Sequence, residues 1–309
     1  MVKRENYMDK YYLEKFKNYL ISNDKSEKTI KTYLDNVILF IEFFNEMNID
    51  DFDPSIVTHI DLIDYRSYCQ TTFNLSVSSI NIRIASLKSY FSWLKIEGII
   101  DKDVTINIKK LKDARTKEAK SFSEKTYRAL RRLYYREGIE LHICIFELLS
   151  KCGLRVGELV NLKLDDIEMN FNENNDIRKG TIEVIGKGNK YRSIPLHKDA
   201  RKAIIKWIKV REKRKSDSPY LLISERKNRK KFTTNGIYRI VKKYHEKLGI
   251  DNVYSVHSYR HYFCRTLLKN GADLSTVAAL AGHSSAVVTS QIYTLPNEKE
   301  KQNAISSML

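Results

Sequence analysis

The sequence lacks the features of a membrane protein and of a disulfide-stabilised secreted protein. Its 309 residues contain no run of about 18 apolar residues, so no segment is expected to span a membrane. Its first residues lead directly into charged side chains, which is not the pattern of a signal peptide. The four cysteines are far apart and form no ligand or redox motif, as expected of free thiols in a reducing cytoplasm.

Excess charge is absent from one half of the chain and concentrated in the other. Residues 1–112 carry 16 basic and 16 acidic side chains, so the whole net charge of +17 lies in residues 113–309. A half this basic predicts a polyanionic partner, most simply nucleic acid. The alternative is a generally lysine-rich protein, but that would place excess charge in both halves.

The first 112 residues show the apolar periodicity of helices and no strand pattern. Apolar residues recur at helical spacing through residues 7–22, 26–44, 61–71 and 76–98, with Ser26 and Ser76 as expected N-caps. We therefore predict an all-α bundle of four or more helices in residues 1–112. A polar stretch, residues 113–120, is expected to link it to a second domain, residues 121–309. Basic side chains on the helices could contact DNA or be merely solvated: Lys28, Lys31, Arg83 and Lys88.

The second domain is predicted to be mixed. Ser123 should cap a helix, residues 140–151 form another, and Arg155 lies in the first turn of a third, where a cation opposes the helix dipole. Residues 181–185 and 191–195 read as a β-hairpin with Lys187 at its tip, preceded by a polar loop at 170–179. The lysine could reach a substrate as a proton donor or be an ordinary loop residue. Further basic residues could contact DNA phosphates: Lys190, Arg192, Arg226, Arg229 and Lys230.

Histidine is scarce, seven residues in all, yet three of them lie between His257 and Tyr293. His257, Arg260 and His261 have the i, i+3, i+4 spacing that places them on one face of a helix. A zinc site is one interpretation of two such histidines. We disfavour a metal because the segment lacks the Glu of a His-Glu-x-x-His motif and because an arginine between the ligands would repel a cation. Two structural histidines remain a further alternative.

Five short motifs occur in order and together resemble the tyrosine recombinase (phage integrase) family, in the two-domain form of the Xer recombinases. They are Gly-Leu-Arg-x-x-Glu-Leu at Arg155, Gly-Lys-Gly at Lys187, His-x-x-Arg at 257–260, Gly-His at 282–283, and Tyr293. The resemblance covers nearly the whole chain. It implies a mainly α fold, with an N-terminal SAM-like core-binding bundle and a C-terminal mixed α/β catalytic domain that contains a small antiparallel sheet.

The resemblance also implies a role for each matching residue. Arg155 and Arg260 would hold the scissile phosphate, and Tyr293 would attack it. Lys187 would protonate the leaving 5′-oxygen, and His257 would accept a proton near the tyrosine.

Three further histidine and glutamate positions match the family pattern more loosely. His283 would donate to a phosphate oxygen. Glu158 and His261 would position other groups rather than react. No cofactor and no metal are expected, since the arginines and the lysine supply the positive charge.

Two departures from the family pattern are visible. The gap between His283 and Tyr293 is ten residues, whereas many Xer-type members have nine, so Tyr259 and Tyr262 are alternative nucleophiles. The loop at 170–179 is longer than usual. No additional arm-binding domain is expected before the first helix, which argues against an integrase of the lambda type.

The resemblance implies a site-specific recombinase that exchanges strands between two sites through a Holliday junction. Its partner would be double-stranded DNA with inverted-repeat half-sites, bound by a tetramer whose C-terminal tails are exchanged between protomers. The location would be cytoplasmic and nucleoid-associated. A type IB topoisomerase shares the chemistry without pairing sites, and a repressor that has lost catalysis is a second alternative.

Overall fold

A computed structural model of the chain describes residues 10–49, 51–112, 121–171, 177–186, 191–224, 231–251, 253–282 and 306. The chain divides into two compact units, Met1–Thr116 and Lys117–Leu309. Each unit has its own apolar core. Within the described ranges, no helix combines the length and the apolarity needed to cross a bilayer.

The first unit is a bundle of four helices over its described residues. They are α1 (Leu13–Ser22), α2 (Glu27–Met47), α3 (His59–Thr71) and α4 (Val77–Ile96). Ser26 and Ser76 accept backbone N–H groups at the starts of α2 and α4, as predicted. The α1 helix begins at Leu13, because Tyr12 takes a φ of +58° that interrupts a helix; the start predicted at Tyr7 lies outside the described residues.

Aromatic rings fill the core of this bundle. Phe40 on α2 lies edge-on to Tyr65 of α3 and to Phe91 of α4, with ring centroids 5.2 and 6.1 Å apart. Buried polar contacts accompany them, among them the hydrogen bond of 2.9 Å that the amide of Asn36 donates to Ser86. These long-range contacts join α2, α3 and α4 into the all-α bundle that the periodicity predicts.

The second unit surrounds a central apolar helix. In chain order its helices are α5 (Glu124–Glu137), α6 (Glu140–Lys151), α7 (Val156–Asn161), α8 (Lys198–Glu212), α9 (Thr234–Glu246), α10 (Val256–Lys269) and α11 (Leu274–Ala281). The α6 helix contacts α5, α7, α8 and α10. Because it is covered on several sides, most of its residues from Leu141 to Ser150 are buried.

A three-stranded antiparallel sheet lies between α7 and α8 in the chain. Its strands are β1 (Ile167–Phe171), β2 (Ile177–Ile185) and β3 (Tyr191–Pro195), paired in the order β1-β2-β3. Ile182 of β2 pairs with Ile167 on one side and with Ile194 on the other. The fold class is therefore as predicted, mainly helical with a small antiparallel sheet.

One sequence prediction about the sheet is wrong. Residues 170–179 were expected to form a polar loop, yet β1 and β2 run into this range and Asn170 pairs with Lys179. The polar composition of this stretch suggested a loop, whereas the pairing of Asn170 with Lys179 extends both strands into it.

Candidate active site

The site begins where α6 ends. Gly153 follows the helix with a φ of +60°, and a Cβ at this position would lie 2.3 Å from the ring of Phe263 on α10. Only glycine combines this backbone conformation with so close an approach. Arg155 then occupies the N-cap position of α7, one residue before the first turn in which the sequence pattern placed it.

Glu158 on α7 is a buried carboxylate shared by two arginines. It accepts the backbone N–H of Arg155 and its Nη1, both at 2.8 Å. It also accepts Nη1 and Nη2 of Arg192 from β3, at 2.9 and 2.8 Å. Burial alone would raise the pKa of Glu158, but the hydrogen bonds from Arg192 and Arg155 outweigh burial and hold its pKa below the ordinary value.

Three arginines converge on the C-terminal end of α11. Arg192 Nε donates to the carbonyl of Leu280 at 3.0 Å, Arg260 Nη2 to that of Ala281, and Arg155 Nη2 to that of Gly282 at 2.8 Å. These three consecutive carbonyls have no partner within the helix, and the helix dipole makes this end negative. Gly282 turns the chain here with a φ of +65°. The helix end therefore fixes three guanidinium groups that would otherwise repel one another.

Arg260 is the most buried of the three, with 3% of its surface exposed. Besides Ala281 it binds the carbonyl of Gly153 at 2.8 Å, so α10 is tied to the end of α6. Burial and the neighbouring Arg155 lower the pKa of Arg260 to about 10, which still leaves it charged at neutral pH. A buried cation beside two others favours the binding of an anion.

The two histidines of α10 lie one turn apart, as predicted from their spacing. The ring centroids of His257 and His261 are 6.3 Å apart. His257 is exposed to solvent. Partial desolvation of its ring by neighbouring protein atoms, together with the positive charges of Arg260 and Arg155, lowers its pKa. Burial and its neighbour His257 lower the pKa of His261 to about 4. At neutral pH both rings are therefore uncharged, and His257 is able to accept a proton.

The structure brings together three of the predicted catalytic residues, Arg155, His257 and Arg260, and places beside them three other predicted site residues, Glu158, His261 and Arg192. The other three predicted catalytic residues, Lys187, His283 and Tyr293, lie outside the described residues. Gly282, whose carbonyl binds Arg155, directly precedes His283 in the sequence.

Neither alternative nucleophile is placed to react. Tyr259 is fully buried, and its hydroxyl lies 3.1 Å from Nε2 of His245. Tyr262 donates its hydroxyl to Glu124 at 2.9 Å and stacks on Tyr127. Burial raises the pKa of both phenols, so ionisation to a nucleophile is disfavoured.

The basic residues predicted to bind DNA differ in exposure. Lys28 and Lys31 are exposed on α2, and Lys88 is half-buried on α4. Arg83 is also half-buried, and its Nη1 lies 3.2 Å from the hydroxyl of Tyr65. The remaining candidates in loops lie outside the described residues: Lys190, Arg226, Arg229 and Lys230.

Arg192, which was predicted to bind DNA, has a side chain that is paired within the protein. Its side chain is only 10% exposed, and its Nε and both Nη atoms donate within the protein. A signal for this was present in the sequence. Arg192 precedes the apolar Ile194 by two residues, and alternate residues of a strand point to the same face. An inward arginine must be paired, and Glu158 is its partner.

No group of three or more His, Cys, Asp or Glu side chains that could hold a metal ion occurs among the described residues. The positive charge of the site comes from guanidinium groups. Arginine presents planar donors that match the oxygens of a phosphate.

An all-helical first unit followed by a mixed unit with paired arginines is the architecture of the two-domain integrases. The family model for the phage integrase family matches residues 139–300, and that for the phage integrase N-terminal SAM-like domain matches residues 12–101. The chain therefore belongs to the phage integrase family, the tyrosine recombinases.

Its relatives include Xer recombinases of bacteria and archaea. The chain is 32% identical to tyrosine recombinase XerC of Pediococcus pentosaceus, over 94% of each chain. It is 33% identical to tyrosine recombinase XerA of Pyrococcus horikoshii, over 99% of this chain and 96% of the relative.

Among solved structures, the XerH site-specific recombinase in a post-cleavage complex with palindromic difH substrate superposes with a TM-score of 0.73. The alignment covers 90% of this chain and 79% of that one at 19% identity. At this identity the likeness concerns the fold alone.

Proposed function

We propose that the protein is a site-specific DNA recombinase that cuts and rejoins duplex DNA through a 3′-phosphotyrosine intermediate. The observation that carries the proposal is the fixed pair of arginines, Arg155 and Arg260, beside the neutral His257. Two preorganised guanidinium groups offer donors to the non-bridging oxygens of a phosphodiester and stabilise the charge that develops on them in the transition state.

In the proposed reaction the Oη of Tyr293 attacks phosphorus and the bond from phosphorus to the 5′-oxygen breaks. The phenol proton passes to His257, and Lys187 supplies a proton to the leaving 5′-oxygen. An unperturbed tyrosine has a pKa of about 10, so proton acceptance by a neutral imidazole assists the attack at neutral pH. His283 would donate to a phosphate oxygen.

The products are a phosphotyrosine ester and a free 5′-hydroxyl. Because the ester retains the energy of the phosphodiester bond, a 5′-hydroxyl can attack it and restore the DNA without ATP. Attack by the 5′-hydroxyl of a second site would exchange strands and give a Holliday junction. In this scheme the guanidinium groups and Lys187 provide the positive charge at phosphorus.

The basic second unit supports a duplex DNA partner, since clustered Lys and Arg release counterions from the phosphate backbone. We propose inverted-repeat half-sites, because paired protomers related by two-fold symmetry require them. A tetramer on two sites, exchange of the C-terminal tails and a cytoplasmic, nucleoid-associated location remain predictions.

Covalent trapping tests the chemistry. A duplex selected by the wild-type protein from a randomised library is nicked beside the scissile phosphate, and the protein–DNA adduct is resolved on a denaturing gel. We expect an adduct from the wild-type protein and from Tyr259→Phe, and none from Tyr293→Phe. An adduct formed by Tyr293→Phe would refute the assignment of the nucleophile, and its absence from the wild-type reaction would refute the proposed function.

Plasmid substrates separate recombination from topoisomerase activity. A supercoiled plasmid with two selected sites should yield recombined products. Relaxation of a one-site plasmid together with no recombination of the two-site plasmid would instead identify a type IB topoisomerase.

A further inference from the structure

The side chain of Arg192 is only 10% exposed, although it belongs to a basic domain of the kind that binds DNA. It projects from β3 on the same face as Ile194, which is 1% exposed. Two of its nitrogens take both oxygens of Glu158, and the third binds the carbonyl of Leu280. Three of the five guanidinium N–H groups are therefore used inside the protein, and only 10% of the side chain is exposed to a ligand.

Through Glu158, Arg192 acts on the orientation of Arg155. The carboxylate receives Arg155 Nη1 on Oε1 and the Arg155 backbone N–H on Oε2. Arg192 binds the same two oxygens side by side, at 2.9 and 2.8 Å, and so fixes the plane of the carboxylate. A fixed carboxylate in turn fixes the guanidinium of Arg155, which is 35% exposed at the side chain and could otherwise rotate.

Arg192 also affects the charge that Arg155 can offer. One carboxylate facing one arginine would form a neutral pair. Here Glu158 is shared between Arg192 and Arg155, so the group of three keeps one net positive charge. With Arg260 the cluster carries two, in a buried setting where charge is only weakly screened.

Arg192 is also connected to Arg260 and Arg155 through the C-terminal end of α11. Arg192 Nε caps Leu280, the first of three carbonyls whose next two bind Arg260 and Arg155. The last residue of the three, Gly282, packs against Arg192, since a Cβ there would lie 2.7 Å from Nη1. Arg192 thus contacts both supports of the two phosphate-holding arginines.

We propose that Arg192 is a positioning residue that orients Arg155 and Arg260 through Glu158 and the end of α11, and that it does not contact DNA. The inference rests on the proposed function, because it assigns Arg192 to the same phosphate site. It replaces the DNA-binding role that the sequence pattern assigned to this arginine.

The test compares Arg192→Met and Arg192→Lys with a matched control, Arg201→Met. Arg201 lies on α8 and donates its Nη1 to a backbone carbonyl, that of Leu196, without contacting Glu158. The probe is the selected duplex. Its dissociation constant is measured over a range of salt concentrations, and cleavage is measured in single turnover at saturating DNA.

We expect Arg192→Met to bind DNA like the wild-type protein, with the same salt slope, and to cleave about 10²-fold more slowly, as a displacement of about 1 Å at a reacting group can produce. Arg192→Lys should also cleave slowly, because a lysine keeps the charge but not the three directed donors. Arg201→Met should cleave at the wild-type rate.

An arginine that contacts a DNA phosphate would behave differently. Its loss would weaken binding, reduce the salt slope by about 1 and leave cleavage at saturation intact, and lysine would restore it. That result would overturn the proposal.

Two further measurements test the proposal if Arg192→Met does not fold or if no cleavage is observed. If Arg192→Met does not fold, the double variant Glu158→Gln with Arg192→Met removes both buried charges and is compared with Glu158→Gln alone. Because Arg192 also holds the end of α11, the double variant should be only slightly slower than Glu158→Gln, by much less than the roughly 10²-fold loss expected from Arg192→Met in the wild-type background. A full further loss of about 10²-fold would contradict action through Glu158.

Hydrogen exchange without DNA separates failure of this proposal from failure of the proposed function. In Arg192→Met the amide of Gly282, which bonds to the carbonyls of Ala278 and Ala279, should exchange faster than in the wild-type protein. Unchanged exchange in residues 274–282 would overturn the positioning role even if no DNA were ever cleaved.

Discussion

The Gly153→Ala substitution tests the junction between α6 and α10, which lies beside Arg155 and Arg260. Gly153 combines a φ of +60° with a position at which a Cβ would lie 2.3 and 2.9 Å from two ring carbons of Phe263. Its carbonyl also accepts Arg260 Nη1 at 2.8 Å. A methyl group here must therefore strain the backbone and push the ring of Phe263 away.

The two costs can be estimated separately. An alanine in the left-handed region costs roughly 1–2 kcal/mol relative to glycine. Overpacking of a filled core by one carbon costs about 1–3 kcal/mol. Gly138 provides a matched control, since its φ is +65° and nothing lies within 4 Å of its Cβ position. We expect Gly138→Ala to cost about 1–2 kcal/mol and Gly153→Ala about 2–5 kcal/mol.

The assay is the free energy of unfolding in urea, with covalent trapping on the selected duplex as a second measurement. Gly153→Ala should also slow adduct formation, because displacement of the backbone moves the carbonyl that holds Arg260. Adding Phe263→Leu should recover part of the steric cost, so that the double variant is more stable than the sum of the single changes predicts. A Gly153→Ala protein no less stable than Gly138→Ala would refute the close approach of Phe263 and the argument built on it.

Two further substitutions test the environment of α10. His261 has a folded-state pKa of about 4, below its ordinary 6.5, so the folded protein binds fewer protons than the unfolded chain between these values. Its contribution to stability is therefore complete above about pH 6.5 and is lost as the pH falls to about 4. We expect His261→Gln to reduce the change of the unfolding free energy in urea with pH over that window. An unchanged pH dependence of this free energy would contradict the argument. Tyr259→Phe removes the hydroxyl that lies 3.1 Å from His245, and it should lower the free energy of unfolding by about 1–3 kcal/mol while adduct formation persists. Loss of the adduct in a folded variant would instead indicate that Tyr259 is the nucleophile.

Local patterns in the sequence predicted much of the secondary structure because they depend on neighbouring residues alone. Ser26, Ser76 and Ser123 each cap the helix that follows them, since a hydroxyl reaches an N–H only three residues ahead. Glu140–Lys151 and Tyr191–Pro195 have the predicted bounds. The i, i+4 spacing of His257 and His261 likewise placed both on one helix face.

Contacts between distant segments were beyond that kind of reasoning. The β1 strand alternates apolar Ile167, Met169 and Phe171 with polar residues, but its pairing with β2 was not predicted because the partner residues lie in a separate segment of the chain. Arg192 was assigned to DNA because charge in a basic domain suggests a surface. The side chain of Arg192 lies inside the protein because it pairs with Glu158, which is 34 residues earlier in the chain.

The sequence by itself determined the family, the order of the motifs and the helix face that carries His257 and Arg260. Only the tertiary structure decided how Arg155, Arg192 and Arg260 are arranged and which groups hold each of them. The reason is physical. The three guanidinium groups are fixed by one buried carboxylate and by three successive carbonyls at the end of α11, and these groups meet only when segments more than 100 residues apart pack together.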